Sequence, residues 1–203
     1  MTFESTVGRR PVRAQLQIAC VAIIGAVASI LVAPDLRGVL GALLAGVMLA
    51  IALTDASLGI IPDEWNAAGL TLAMLNAVLQ NPDTMVEAMA AAVLRGGVLA
   101  LLFLGLRVVY RGLRGREGMG LGDVKLAVVA GAWLGWLTIP IAVELAALAG
   151  LATYLVQRYW LGRALQLHSR LPFGLFFAPA IWLGWLFETT GALAPRLGGF
   201  LWS

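Results

Sequence analysis

Long uncharged runs, cut at short intervals by proline, aspartate and arginine, dominate this chain. No charged residue occurs from Gln15 to Ala33, and none from Gly38 to Thr54. A helix of about 20 apolar residues crosses the hydrocarbon of a bilayer while satisfying its own backbone hydrogen bonds. Composition points the same way: 61% of the 203 residues are hydrophobic and 12% are charged, against about 25% charged in soluble domains. So few polar side chains cannot cover a water-facing surface. That excludes an ordinary cytosolic globular protein, a disordered chain and a fibrous one. The runs are continuous, whereas a transmembrane barrel needs alternation. The expected class is an all-α, polytopic membrane protein.

Seven spans are expected, over roughly 15–33, 38–54, 65–79, within 85–110, 123–138, 140–160 and 172–187. Six remain if the fourth, which contains Arg95, is not a clean crossing. The basic N-terminal stretch and first run have the outline of a signal peptide, with Ala26-Val27-Ala28 as a cleavage site. The run continues to Ala33, however, longer than a signal core of about 7–15 residues, and reads as a span. With the N-terminus in the cytoplasm, eleven of the 14 basic residues fall on the cytoplasmic side, Arg37 and Arg196 fall outside, and Arg95 lies within the membrane. Such asymmetry sets orientation. The whole chain, 1–203, reads as one transmembrane domain without repeats. The net charge of +3 reports topology in such a protein, so no nucleic-acid partner is expected.

Acidic residues are scarce, so their positions matter. Asp55 ends the second span and Asp123 opens the fifth, both at the cytoplasmic face. A carboxylate at a helix C-terminus faces the negative pole of the dipole, which makes Asp55 a poor cap. Asp123 stands at a helix start, where capping is as good an account as catalysis. Around it the chain reads Gly118-Met119-Gly120-Leu121-Gly122-Asp123-Val124-Lys125-Leu126. Alternate glycines admit unusual dihedrals and close approach of another chain. The run fits no phosphate-loop pattern, and no strand precedes it. After Asp55, Gly59 and Pro62 break the helix and leave Ile60-Ile61-Pro62 as an irregular apolar segment at the membrane surface.

These residues resemble a family. Asp55 followed by Ile61-Pro62 looks like the first active-site motif of prepilin peptidases, and Gly118 to Leu126 looks like their second, the GxGD motif. Pro172-Phe173-Gly174 is similar to a third family element, and the resemblance spans about 41–186. It implies an intramembrane aspartyl endopeptidase of the inner membrane. Such an enzyme removes the short basic leader of type IV pilin-like precursors at the cytoplasmic face. On that resemblance Asp55 and Asp123 are the catalytic pair. Gly118, Gly120, Gly122, Ile61, Pro62, Lys125, Pro172, Phe173 and Gly174 shape the loops or the substrate site. Partners would be a prepilin or pseudopilin precursor and membrane lipid, with no metal and no cofactor. Longer family members carry an N-terminal cytoplasmic region, often with paired cysteines, linked to methylation. This chain has one cysteine, Cys20, in an apolar run. It resembles a short, peptidase-only form.

The remaining polar residues suggest less. Lys125, two residues from Asp123, points elsewhere on a helix and reads as an interfacial anchor. His168 reads as a loop residue, since no serine motif accompanies it. Asp63, Glu64 and Glu117 read as solvated loop charges able to attract a cationic leader. Arg95 and Glu144 are costly in a membrane and either pair with each other or sit at an interface. Two other classes compete: a proton-coupled transporter using Asp55, Asp123 and Glu144 as a relay, and a non-catalytic assembly factor. The first expects carboxylates at mid-membrane, whereas Asp55 and Asp123 lie at one face. Intact motifs argue against the second.

Overall fold

A computed structural model describes residues 12–115, 118–159 and 172–191. His168, Glu117 and Arg196 lie outside the described residues. The described chain forms seven helices: α1 (Val12–Val32), α2 (Leu36–Leu58), α3 (Asp63–Gln80), α4 (Met85–Arg114), α5 (Leu121–Trp133), α6 (Thr138–Tyr159) and α7 (Gly174–Thr189). Each expected span coincides with one of them. Helices α1, α2, α4 and α6, of 21, 23, 30 and 22 residues, are long and apolar enough to cross a membrane. The outer surface suits lipid: on α4 alone Val93, Leu94, Leu101, Leu102, Val108 and Leu113 are exposed, where water would demand charge.

The fifth helix differs from expectation in length. It ends at Trp133, not near Thr138, and has 13 residues, about 20 Å at 1.5 Å per residue. Leu134 turns to extended backbone after it. Pro140 then sits in the first turn of α6, where a missing N–H costs nothing.

Helix α2 lies at the centre, packed against α1, α3 and α7, while α5 packs against α3, α4 and α7. Leu44, Met48 and Ile51 of α2, Leu126 and Val129 of α5, and Phe177 and Ile181 of α7 form the buried core. Small residues let these helices touch. A Cβ placed on Gly41 would lie 1.9 Å from the Trp185 ring. One placed on Gly131 would lie 2.5 Å from the Arg95 carbonyl oxygen. Gly131 thus serves the close packing that its spacing to Gly135 suggests.

Polar ties cross the apolar core. Trp133 donates from Nε1 to the Gly69 carbonyl at 3.0 Å, joining α5 to α3. Trp182 of α7 donates to Ser29 Oγ of α1 at 3.1 Å. Arg95 does not pair with Glu144, which is exposed on α6. Its Nε donates to the Gly131 carbonyl at 3.1 Å, and its charge faces Glu188, whose Oε1 accepts the Gly135 N–H at 2.7 Å. These groups line a polar cavity of about 440 Å³ with Arg37, Asn76 and Gln80. The cavity is built from the start of α2 and the ends of α3, α5 and α7, opposite the ends that carry Asp55 and Asp123.

Candidate active site

Asp55 lies one turn before the end of α2. Gly59 closes that helix in the left-handed conformation, φ 66°, its N–H returning to the Asp55 carbonyl at 2.9 Å. Glycine takes this conformation without a Cβ penalty. The chain then crosses Ile60-Ile61-Pro62 and starts α3, with Pro62 as the flanking residue at φ −61°. Proline's fixed φ suits that entry.

The Asp55 side chain is buried, yet its Oδ2 accepts the Leu175 N–H at 2.8 Å. Leu175 is the second residue of α7, so the carboxylate sits at the positive end of another helix, where anions are stabilised. The penalty expected from its place at the end of α2 is thereby offset from α7.

Asp123 is buried at the third position of α5, and its Oδ2 accepts the Gly120 N–H at 3.1 Å. It therefore does act as a cap, closing back on the residue before its own helix. Its second oxygen is not engaged by that bond. The two aspartates are close enough for the charge of Asp55 to act on Asp123.

Ile61 wedges between the helix starts that frame the pair. A Cβ on Gly122 would lie 3.0 Å from Ile61 Cβ. A Cβ on Gly174 would lie 2.7 Å from Ile61 Cδ1 and 2.8 Å from Asp55 Oδ2. Gly122 and Gly174 are thus the positions where α5 and α7 must lack side chains. Gly118 packs under Tyr110 of α4, where a Cβ would meet the ring at 2.5 Å. Gly120 supplies the N–H to Asp123. Phe173 joins Phe103 and Phe177, with ring centroids 5.2–6.1 Å apart, which seats the start of α7 against α4. Pro172 leads into that cluster.

Lys125 has a definite partner. Its Nζ bonds Asp63 Oδ1 at 2.6 Å, an exposed ion pair joining α5 to α3. Asp63 and Glu64 form the first turn of α3 and are not loop charges. Two features of the site carried no signal in the sequence. One is the Leu175 N–H. The other is Asn66, a buried amide on α3 without a hydrogen-bond partner among the described residues. Among the described residues no group of three or more His, Cys, Asp or Glu could hold a metal ion.

Two buried carboxylates brought together from separate helices, each held by backbone N–H groups at a helix start, can share a proton and move it. Known proteins show the same organisation of sequence. The profile of the type IV leader peptidase family matches residues 42–155. Leader peptidase HopD of Escherichia coli is 36% identical over 134 residues, which cover 66% of this chain and 83% of that protein. The prepilin leader peptidase/N-methyltransferase of Burkholderia pseudomallei is 40% identical over 137 residues, but this chain spans only 42% of its length. A protein of the same name from Dickeya chrysanthemi is 39% identical over 157 residues, 52% of its length. No solved structure matches the chain. A matched profile that begins in α2 and takes in Asp55, Ile61-Pro62 and Asp123 joins the geometry to a lineage: the chain belongs to the type IV leader peptidase family.

Proposed function

We propose that Asp55 and Asp123 are the catalytic dyad of this leader peptidase, at the cytoplasmic face of the inner membrane. The substrate is a prepilin or pseudopilin precursor with a short basic leader. As a member of its family the protein is an aspartic endopeptidase. The observation that carries the residue assignment is the convergence of the two aspartates, 68 residues apart in the chain, at the joined starts of α5 and α7.

In this reading one carboxylate is ionised and the other protonated, because two neighbouring carboxylates cannot easily both be charged. The ionised group takes a proton from a water molecule as its oxygen attacks the scissile carbonyl carbon. The protonated group gives its proton to the carbonyl oxygen. Collapse of the tetrahedral intermediate breaks the C–N bond and returns a proton to the new amine. The scissile bond must be extended, since a helix hides its carbonyls. The junction of a polar leader and an apolar helix provides such a stretch at the membrane surface. Glu64, exposed at the start of α3 beside the Asp63–Lys125 pair, presents negative charge for a cationic leader. No observation favours the transporter or the assembly-factor reading.

Cleavage of a co-expressed prepilin, read as the loss of leader mass, tests the proposal. The wild-type chain removes the leader. An intact precursor beside abundant, membrane-inserted wild-type protein overturns the assignment.

A further inference from the structure

Asn66 is 7% exposed, and both its amide nitrogen and its amide oxygen lack a hydrogen-bond partner among the described residues. A buried primary amide with neither atom satisfied is rare, since it forfeits the bonds it made in water. Its place in the bundle says what it is for. One turn further along α3, Gly69 meets Val129 of α5 and Met48 of α2, and its carbonyl accepts from Trp133. One turn back, Asp63 holds Lys125 of α5. Helices α3 and α5 therefore run side by side in the same sense, and α2 runs against them. Stepping one turn from Gly69 toward the start of α3 reaches the level of Ile51 and Ala52 on α2 and of Leu126 on α5. That is about one turn, roughly 5 Å, behind Asp55 and Asp123. Asn66 thus lies about one turn from the level of the aspartates, on the buried side of α3 whose Gly69 meets both α2 and α5.

We propose that Asn66 is a positioning residue, whose amide anchors a buried water that bridges to the aspartate pair. Two hydrogen bonds of about 2.8 Å through one water span about 5.5 Å, on the order of the one helical turn that separates the two levels. Asp123 spends Oδ2 on the Gly120 N–H, which leaves its other oxygen for such a bond, while Asp55 is held by backbone N–H groups at the start of α7. The amide offers donors and acceptors together, so the bridge survives whichever carboxylate holds the shared proton. A buried water needs two or more polar partners, and among apolar neighbours such as Leu126 and Ile51 this amide supplies them. The inference rests on the dyad proposed above.

The test measures cleavage by intact protein in proteoliposomes, with a prepilin-type precursor as substrate. Asn66→Leu keeps the volume and removes the polar atoms. If Asn66 positions the dyad, kcat falls by about tenfold or more with KM unchanged, the loss of one bond to a charged group. The thermal midpoint meanwhile moves little, because a buried amide and its water give way to an apolar side chain of similar volume. Asn66→Ser, which keeps a hydroxyl, retains clearly more kcat than Asn66→Ala. Wild-type kcat in Asn66→Leu overturns the proposal, as do equal rates in the serine and alanine variants. Should Asn66→Leu fail to accumulate, the serine–alanine pair decides alone. Asp123→Asn is run beside them. Cleavage by that variant overturns the dyad and this inference with it; an inert Asp123→Asn beside a fully active Asn66→Leu overturns this inference only.

Discussion

The backbone N–H of Leu175 donates to Asp55 Oδ2 at 2.8 Å, tying the first turn of α7 to the last turns of α2 across 120 residues of sequence. The bond makes the start of α7 part of the site, and Gly174 is the hinge of that arrangement. Its missing Cβ would stand 2.8 Å from the carboxylate oxygen and 2.7 Å from Ile61. Gly174→Ala should therefore push α7 and Asp55 apart. A displacement near 1 Å costs a catalytic site about 100-fold. The check is the rate of leader removal per membrane-inserted molecule. A rate near wild type would show that α7 does not position Asp55.

Asparagine at either aspartate keeps size and accepting capacity but cannot cycle a proton. Asp55→Asn and Asp123→Asn should each abolish cleavage while leaving yield in the membrane unchanged. Asn can accept the Gly120 N–H as Asp123 does, and caps about equally well. A purely capping Asp123 would therefore leave Asp123→Asn active. The double variant should be no worse than either single one, because the pair acts as a unit. Cleavage should also proceed in the presence of a chelator, since in the proposed mechanism the two carboxylates perform the proton transfers themselves. The measurement is leader removal from a co-expressed prepilin, normalised to peptidase yield.

The close helix contacts predict where added volume is tolerated. Gly131→Ala places a Cβ 2.5 Å from the backbone of Arg95, which cannot swing aside as a side chain can. It should cost about 1–3 kcal/mol, as overpacking does. Gly97→Ala and Gly105→Ala meet nothing within 4 Å on the same helix, α4. They should stabilise by up to about 1 kcal/mol through helix propensity. Thermal denaturation in detergent separates the two classes.

Lys125 and Asp63 are joined but exposed, with side chains 51% and 72% accessible. An exposed ion pair contributes about 0–1 kcal/mol. Lys125→Met should move the thermal midpoint little, and raised salt should move it no further. A larger fall would mark the pair as a structural tie between α3 and α5.

The orientation, N-terminus inside, rests on the basic residues and makes a separate prediction. Reporter fusions near Arg114 should be active in the cytoplasm, and fusions after Ser203 outside it. A cytoplasmic C-terminus would remove one crossing, and the short α5 makes it the candidate.

Much of this protein was legible in its sequence because helices in a bilayer are specified locally. Length and apolarity decide that a segment such as Leu36–Leu58 is a helix, and breakers such as Gly59 and Pro62 decide where it stops. The scarcity of acidic residues isolates Asp55 and Asp123, and their positions at two helix ends on one face suggest that they meet. The tertiary structure decided everything that depends on which side chains face each other across the bundle. Asp55 finds its donor in Leu175, 120 residues away, and Arg95 finds Gly131 and Glu188 where sequence offered Glu144. Lys125 finds Asp63, and the buried amide of Asn66 finds no hydrogen-bond partner among the described residues. Such pairings follow from the rotation and depth of each helix. Those are set by packing at small residues such as Gly41, Gly131 and Gly174. Apolar runs in lipid leave rotation and depth open, because every face of such a helix is apolar enough to be buried.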